Sequence, residues 1–111
     1  MDNLQEDISV NELRKLCNAG KFKWTAHIAI RLQERGINPS DIKNCIQTGE
    51  VIEQYPDDHP YPSCLVLGSS VANKPLHVVI GFGNGYLWLI SSYFPSLDKW
   101  KPDFKTRKER M

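Results

Sequence analysis

The sequence predicts an α+β domain in which N-terminal helices pack on a four-stranded, mainly antiparallel sheet. Three observations support this fold class. The first half of the chain has apolar residues at helical spacing between residues that begin and end helices. The second half alternates β-rich runs with turns, and Gly83-Asn84-Gly85 separates the last two runs as a hairpin turn would. With 111 residues, the chain fits a single domain over residues 1–111.

Local capping signals delimit the first two predicted helices. Ser9 is placed as an N-cap with Glu12 three residues later, which is the pattern of a capping box. Gly20 can adopt the left-handed conformation that ends a helix. A second helix is expected near residues 24–35, ended by Gly36 in the same way.

The third helix carries the most complete set of signals. Asn38 is a suitable N-cap, Pro39 occupies the first helical position, and Asp41 stands in the first turn, where the helix dipole favours an acid. The pattern closes at Gly49. We therefore predict three helices before the sheet.

Four β-rich runs follow, with a proline-rich break after the first and a polar loop after the second. The proline-rich break contains His59, which we interpret as a solvated loop residue. The predicted strands are EVIEQY, SCLVLG, PLHVVIGF and YLWLISSYF.

Composition narrows the class of protein. Apolar residues at 41% and charged residues at 24% are typical of a soluble globular protein, and the net charge of +1 is near neutral. No apolar run approaches the roughly 18 residues of a membrane span, and the acidic N-terminus does not resemble a signal segment. We therefore expect a cytoplasmic protein without a membrane partner.

The cysteines and the missing motifs exclude several chemistries. Cys17, Cys45 and Cys64 are odd in number and contain no CxxC pair, so buried, inert thiols in a reducing compartment are expected. Asp57 and Asp58 lack partners at metal-ligand spacing, and no dinucleotide, P-loop or nucleophile-elbow motif occurs. We expect neither a metal nor a cofactor.

A polar stripe runs along the second predicted helix. His27, Arg31, Glu34 and Arg35 fall within one quadrant of it, beside an apolar stripe. One interpretation is a substrate-binding face. The alternative is a solvated face on which an arginine pairs with a glutamate.

His77 interrupts an otherwise apolar strand, and its neighbours depend on the hairpin register. Pairing Phe82 with Tyr86 places His77 opposite Ser91 and leaves Tyr93 nearby on the same face. A two-residue turn would shift the register by one and move Tyr93 to the other face. The simpler interpretation of His77 is a strand histidine that is hydrogen-bonded to a neighbour.

Basic residues are concentrated near the end of the chain. The last segment, residues 99–111, contains six of them, and it is either functional or an ordinary solubilising terminus. Residues 1–8 are predicted to be a flexible N-terminus. The basic residues are Lys99, Lys101, Lys105, Arg107, Lys108 and Arg110.

Several motifs together resemble the domain of unknown function 4258 family. They are HIAIRLQERGI, GEVIEQYPDDHPYPSCLVLG, PLHVVIG, ISSYFPSLDKW and the late RK pair, and they extend from about residue 24 to residue 108. That family is similar to RelE-like and MqsR-like toxins, which are endoribonucleases of toxin–antitoxin pairs. The resemblance therefore implies a RelE/barnase-like toxin fold, with RNA and an antitoxin protein as partners.

The resemblance also implies roles for individual residues. Metal-independent RNA cleavage needs a base for the ribose 2′-hydroxyl, cations for the phosphorane, and an acid for the leaving 5′-oxygen. The expected catalytic residues are His27, Arg31, His77 and Tyr93. The expected phosphate- or RNA-binding residues are Arg35, Arg107 and Lys108. We expect these groups, Lys108 apart, to converge on one cleft between the second helix and the sheet.

A non-catalytic protein-interaction module of the same fold is the alternative function. In that case exposed Trp100 and Phe104, together with an open strand edge at residues 63–68, would be the contacts for a partner.

Overall fold

The structure is a computed structural model that describes residues 7–109, and it confirms the α+β class. Three helices precede the main strands as predicted. The helices are α1 (Val10–Asn18), α2 (Ala26–Glu34) and α3 (Pro39–Thr48). The strands are β1 (Phe22–Lys23), β2 (Glu50–Tyr55), β3 (Ser63–Ser69), β4 (Pro75–Gly83) and β5 (Tyr86–Tyr93).

Local hydrogen bonds explain where the helices begin. The Ser9 hydroxyl accepts a hydrogen bond from the Glu12 amide at 3.2 Å, which confirms the predicted N-cap. At α3, the Asp41 carboxylate accepts from the Asn38 amide at 2.9 Å. These bonds satisfy amides that a helix start would otherwise leave unpaired.

The sheet corrects the predicted strand count. It has five strands in the order β1-β5-β4-β3-β2, and the four predicted strands form its antiparallel part. The additional strand, β1, pairs parallel with β5 at Phe22↔Leu87 and Lys23↔Trp88. Two residues are too few to show an alternating pattern, so this strand depends on tertiary pairing.

The helices cover one face of the sheet and form the core there. Alternate residues of β3 and β4, such as Val66 and Val78, pack against apolar side chains of α1 and α3. Close approach at one point requires glycine, because a Cβ on Gly68 would lie 2.2 Å from the Cys45 carbonyl oxygen. Cys17, Cys45 and Cys64 are buried free thiols, as predicted. Burial raises the pKa of both Cys45 and Cys64 to about 12.

Part of the opposite face of the sheet, around His77, is covered by the C-terminal segment, which we define as residues 99–109 here. Trp100 forms a bridge with Arg107 and is only 3% exposed, so its predicted exposure is wrong. The predicted open edge at residues 63–68 is also wrong, because β3 lies between β2 and β4.

At the other terminus, Ile8 is buried and its amide donates to the Gln54 side chain at 3.1 Å. The rest of the predicted flexible N-terminus, except Asp7, lies outside the described residues.

The hairpin between β4 and β5 resolves the register. Gly83 pairs with Tyr86 around a two-residue turn in which Asn84 and Gly85 have φ of 54° and 79°. That turn alone would place Tyr93 on the wrong face, but the register shifts by one residue near Val79. His77 therefore lies directly opposite Tyr93.

Two features are absent from residues 7–109. None of the helices in that range is both long and apolar enough to cross a membrane. The same range contains no cluster of three or more histidine, cysteine or acidic residues arranged to hold a metal ion.

Candidate functional site

The polar stripe of α2 faces the edge of the sheet at β5. Strand β1 covers only the first part of that edge, and α2 continues along the remainder. The exposed side chains of His27, Arg31 and Arg35 line a groove of about 230 Å³ there, which we call the edge groove. Its other lining residues are Ile28, Leu32, Ile90, Ser91 and Ser92.

A second hollow adjoins the edge groove on the face that the C-terminal segment covers. We call it the face pocket, and its volume of about 470 Å³ is within the usual range for ligand sites. Arg35 lines both hollows, so they are adjacent. The face pocket is lined by Arg35, Tyr93, Phe94, Ser96, Lys99, Trp100 and Arg107.

The two hollows are basic. The face pocket contains the cationic groups of Arg35, Lys99 and Arg107, and the edge groove adds Arg31. Within residues 7–109, no acidic side chain lines either hollow. Over the same residues, neither Arg31 nor Arg35 forms an ion pair, so the predicted arginine–glutamate pairing on this helix is not seen.

Arg35 is held in position by the sheet. Its Nη1 donates a hydrogen bond of 2.7 Å to the main-chain carbonyl oxygen of Ser92. The Ser92 hydroxyl donates in turn to the carbonyl oxygen of His77 at 2.8 Å. Strand β1 pairs with β5 only at Leu87 and Trp88, so no strand lies beside Ser92 on this side and the arginine occupies the acceptor instead.

His77 is fully buried beneath the C-terminal segment and lines neither hollow. Its Nε2 lies 2.8 Å from the carbonyl oxygen of Phe104, which can only accept, so Nε2 carries the proton. Its Nδ1 is then free to accept from the Tyr93 hydroxyl at 3.4 Å. Burial lowers the pKa of His77, although the Phe104 carbonyl partly opposes this shift, so the ring is neutral at neutral pH.

Tyr93 connects the buried histidine to the face pocket. Its ring meets that of His77 edge-on, with 5.3 Å between the centroids, and its side chain lines the pocket. Burial raises the pKa of Tyr93, so the hydroxyl keeps its proton at neutral pH. A protonated phenol beside cationic groups can donate a hydrogen bond or a proton to an anionic ligand.

Arg107 is paired with a residue that the sequence interpretation missed. Its Nε and Nη2 donate to the two carboxylate oxygens of Glu53 at 2.9 and 3.0 Å. Its guanidinium also lies 4.6 Å from the centre of the Trp100 ring. The Arg107 hydrogen bonds lower the pKa of Glu53. The Tyr55 hydroxyl also donates to the Glu53 carboxylate. Alternation along EVIEQY could have shown that Glu53 and Tyr55 share a face.

Lys108 lies apart from the site. It is exposed and lines neither hollow, and its amide donates to the Lys99 carbonyl oxygen at 3.0 Å. Arg110 lies outside the described residues. Of the predicted site residues, the edge groove unites His27, Arg31 and Arg35, and the face pocket unites Arg35, Tyr93 and Arg107.

These features define a small α+β protein with a basic groove along one edge of its sheet. The chain belongs to the family described as Domain of unknown function (DUF4258), whose model matches residues 24–94. That range includes α2 and Tyr93 but not the C-terminal segment. No curated protein and no solved structure gives a match to the chain.

Proposed function

We propose that the protein is a toxin-like, metal-independent endoribonuclease of a toxin–antitoxin pair, and that the two hollows together bind an RNA phosphate. The observation that carries the proposal is the position of Arg35, which lines both hollows and is fixed by Ser92. A guanidinium held in this way can bind two phosphate oxygens without losing much side-chain freedom. The RelE/barnase-like fold is part of the same proposal.

The reaction needs proton transfers at two oxygens and charge stabilisation between them. In our assignment, the exposed His27 ring removes the proton from the ribose 2′-hydroxyl, and that oxygen attacks phosphorus. Arg31 and Arg35 stabilise the phosphorane charge. The Tyr93 hydroxyl then turns its single proton from His77 Nδ1 to the leaving 5′-oxygen, so a 2′,3′-cyclic phosphate and a 5′-hydroxyl are formed.

His77 has a positioning role in this scheme. Both of its ring nitrogens face partners within the protein, and its ring lines neither hollow but contacts Tyr93, which lines the face pocket. It orients the Tyr93 hydroxyl and anchors the C-terminal segment. Arg107 contributes less charge than the sequence suggests, because Glu53 is bound to it.

Cleavage of labelled RNA in the presence of a metal chelator is the direct test. We expect wild-type protein to cleave single-stranded RNA and to stop growth when its expression is induced, with relief by a neighbouring antitoxin gene. Arg31→Ala should lower RNA cleavage by about 10²-fold and relieve the growth arrest. Lys43→Ala is the matched control, since Lys43 is an exposed cation on α3 and lines neither hollow. Equal activity of Arg31→Ala and wild type would refute the assignment.

A non-catalytic interaction module is the second candidate. The observation that favours it is the burial of His77, since the histidine on the sheet is fully buried and lines neither hollow. A stoichiometric protein partner purified from the native host, with no RNA cleavage by the isolated chain, would support this function instead.

A further inference from the structure

A row of aromatic side chains lies near the hairpin end of the sheet. Tyr61 stacks on Trp88 with 5.3 Å between ring centroids and 26° between ring planes. Trp88 meets Tyr86 at 6.1 Å in an edge-to-face arrangement. We call these three residues the aromatic patch. It lies on the face of the sheet opposite the helices, because Trp88 pairs with Gly81 one strand position from the core residue Leu87.

The aromatic patch does not belong to the hydrophobic core. Its three rings are half-buried, and none belongs to the cluster that the helices cover. The indole nitrogen of Trp88 already donates to the Gly83 carbonyl oxygen at 2.9 Å, so its polar group needs no further partner. Glycines at 81 and 83 leave the space that Trp88 and Tyr61 occupy.

Cationic groups border the aromatic patch. The Lys23 ammonium group lies 4.6 Å from the centre of the Tyr86 ring, and that of Lys21 lies 5.7 Å from it. Both lysines are exposed, and Lys23 pairs with Trp88 in the parallel β1–β5 ladder. Further along the same edge stand Arg31 and Arg35 of the edge groove. A basic track therefore runs along one side of the sheet.

We propose that the aromatic patch stacks unpaired bases of single-stranded RNA while Lys21 and Lys23 neutralise the adjacent phosphates. Rings on which bases stack, next to cations that follow the backbone, are the usual elements of single-strand binding sites. The patch lies four strand positions from the pair that His77 forms with Tyr93, which lines the face pocket; this is a separation of about 13 Å or roughly four stacked nucleotides. The assignment of RNA as the ligand rests on the proposed function.

The test uses a probe that the enzyme cannot cleave, a fluorescein-labelled 2′-O-methyl octaadenylate. Binding is followed by fluorescence anisotropy at low salt. Tyr61→Leu should weaken binding roughly 5- to 100-fold, as expected for the loss of one stacking contact. Lys23→Gln should reduce the slope of log K against log salt concentration by about 0.7. Lys43→Gln, on the helical side, should match wild type.

Two checks make the outcome decisive. Thermal melting shows whether Tyr61→Leu remains folded, and Lys23→Gln tests the same patch through an exposed side chain that packing does not need. The proposal is overturned if wild type does not bind the octamer, or if folded Tyr61→Leu and Lys23→Gln both bind it like wild type. It is also overturned if these two variants bind the octamer like wild type but no longer bind a protein partner.

The same experiment separates this proposal from the proposed function. Octamer binding that depends on Tyr61, without cleavage of unmodified RNA, supports the aromatic patch and rejects the ribonuclease. Cleavage that requires Arg31 but is indifferent to Tyr61 and Lys23 supports the ribonuclease and rejects the patch.

Discussion

The guanidinium of Arg35 is bound to the carbonyl oxygen of Ser92 at 2.7 Å, and this contact joins the end of α2 to the last residues of β5. Arg31, one helical turn earlier, lines the same groove without such a contact. The two arginines therefore differ in attachment although they share charge and exposure. Because of this difference, we expect replacement of Arg35 to change both stability and activity, and replacement of Arg31 to change mainly activity.

Replacing each arginine by alanine should reveal that difference. Arg35→Ala loses both a phosphate ligand and the bond to Ser92, so we expect about a 10²-fold loss of RNA cleavage and about 1 kcal/mol of stability. Arg31→Ala should lose a similar amount of activity but change stability by less than about 0.5 kcal/mol. Urea denaturation and initial cleavage rates measure the two quantities. Equal stability of the two variants would show that the Ser92 contact contributes nothing.

Glu53 should restrain RNA binding through its pairing with Arg107. Glu53→Gln keeps the size of the side chain and removes its charge, so more of the Arg107 charge becomes available to a phosphate in the face pocket. An exposed charge pair is worth up to about 1 kcal/mol, so we expect affinity for RNA to rise roughly 2- to 5-fold. Fluorescence anisotropy measures the change.

The matched control for this prediction is Glu50→Gln. Glu50 is bound to Lys105 at 2.9 Å, and Lys105 does not line the face pocket. Both variants change the net charge equally. If they increase affinity by the same factor, the effect comes from overall charge and not from Arg107 in the pocket.

The helices and the four main strands could be predicted because their signals are local. Ser9, Asn38 and the glycines at 20 and 36 act within one helical turn, and the Asn84-Gly85 turn acts within one hairpin. Strand β1 could not be predicted, because it consists of two residues whose only support is a strand distant in sequence. The register shift near Val79 also has no local sequence signal, although it brings His77 opposite Tyr93.

The candidate site also has one part that local sequence patterns predict and one part that they do not. Helical spacing alone predicted the alignment of His27, Arg31 and Arg35. The burial of His77 depends on the C-terminal segment, which returns across the sheet through contacts that no local pattern encodes. Two aromatic residues in that basic segment, Trp100 and Phe104, could have indicated that the segment packs on the sheet. In a frayed terminus, such side chains would leave apolar surface exposed.

Gly68 should be essential for the contact between α3 and β3. An alanine Cβ would meet the Cys45 carbonyl oxygen at 2.2 Å; that oxygen belongs to the backbone of α3, and the Cβ is fixed to the backbone of β3, so neither can turn aside. We expect Gly68→Ala to destabilise the fold by about 3 kcal/mol or more. Gly81→Ala is the control on the other face, where the nearest atom lies at 3.4 Å, and it should cost less than about 1 kcal/mol. Denaturant unfolding measures the loss of stability in both variants. A larger loss of stability for Gly81→Ala than for Gly68→Ala would contradict the prediction.

His77 should make the stability of the protein depend on pH in the weakly acidic range. Burial lowers its pKa in the folded state, so the unfolded chain binds a proton more readily than the folded chain. Its contribution is therefore complete above the unfolded pKa of about 6.5 and is lost as the pH falls below that value towards the folded pKa. Glu53 contributes in the same direction, but only from about pH 4.5 downwards, because Arg107 lowers its pKa.

Urea denaturation at about pH 7.5 and about pH 5 isolates the histidine contribution. We expect wild type to be less stable at the lower pH, and His77→Gln to lose much of that difference because glutamine does not titrate. His59→Gln, which changes an exposed loop histidine, should keep the wild-type difference. A direct reading comes from the imidazole NMR signals of the wild-type protein, in which the His77 ring should titrate below the ordinary pKa of about 6.5. A His77 ring that titrates at or above that ordinary pKa, or an unchanged stability difference in His77→Gln, would show that burial does not hold this histidine neutral.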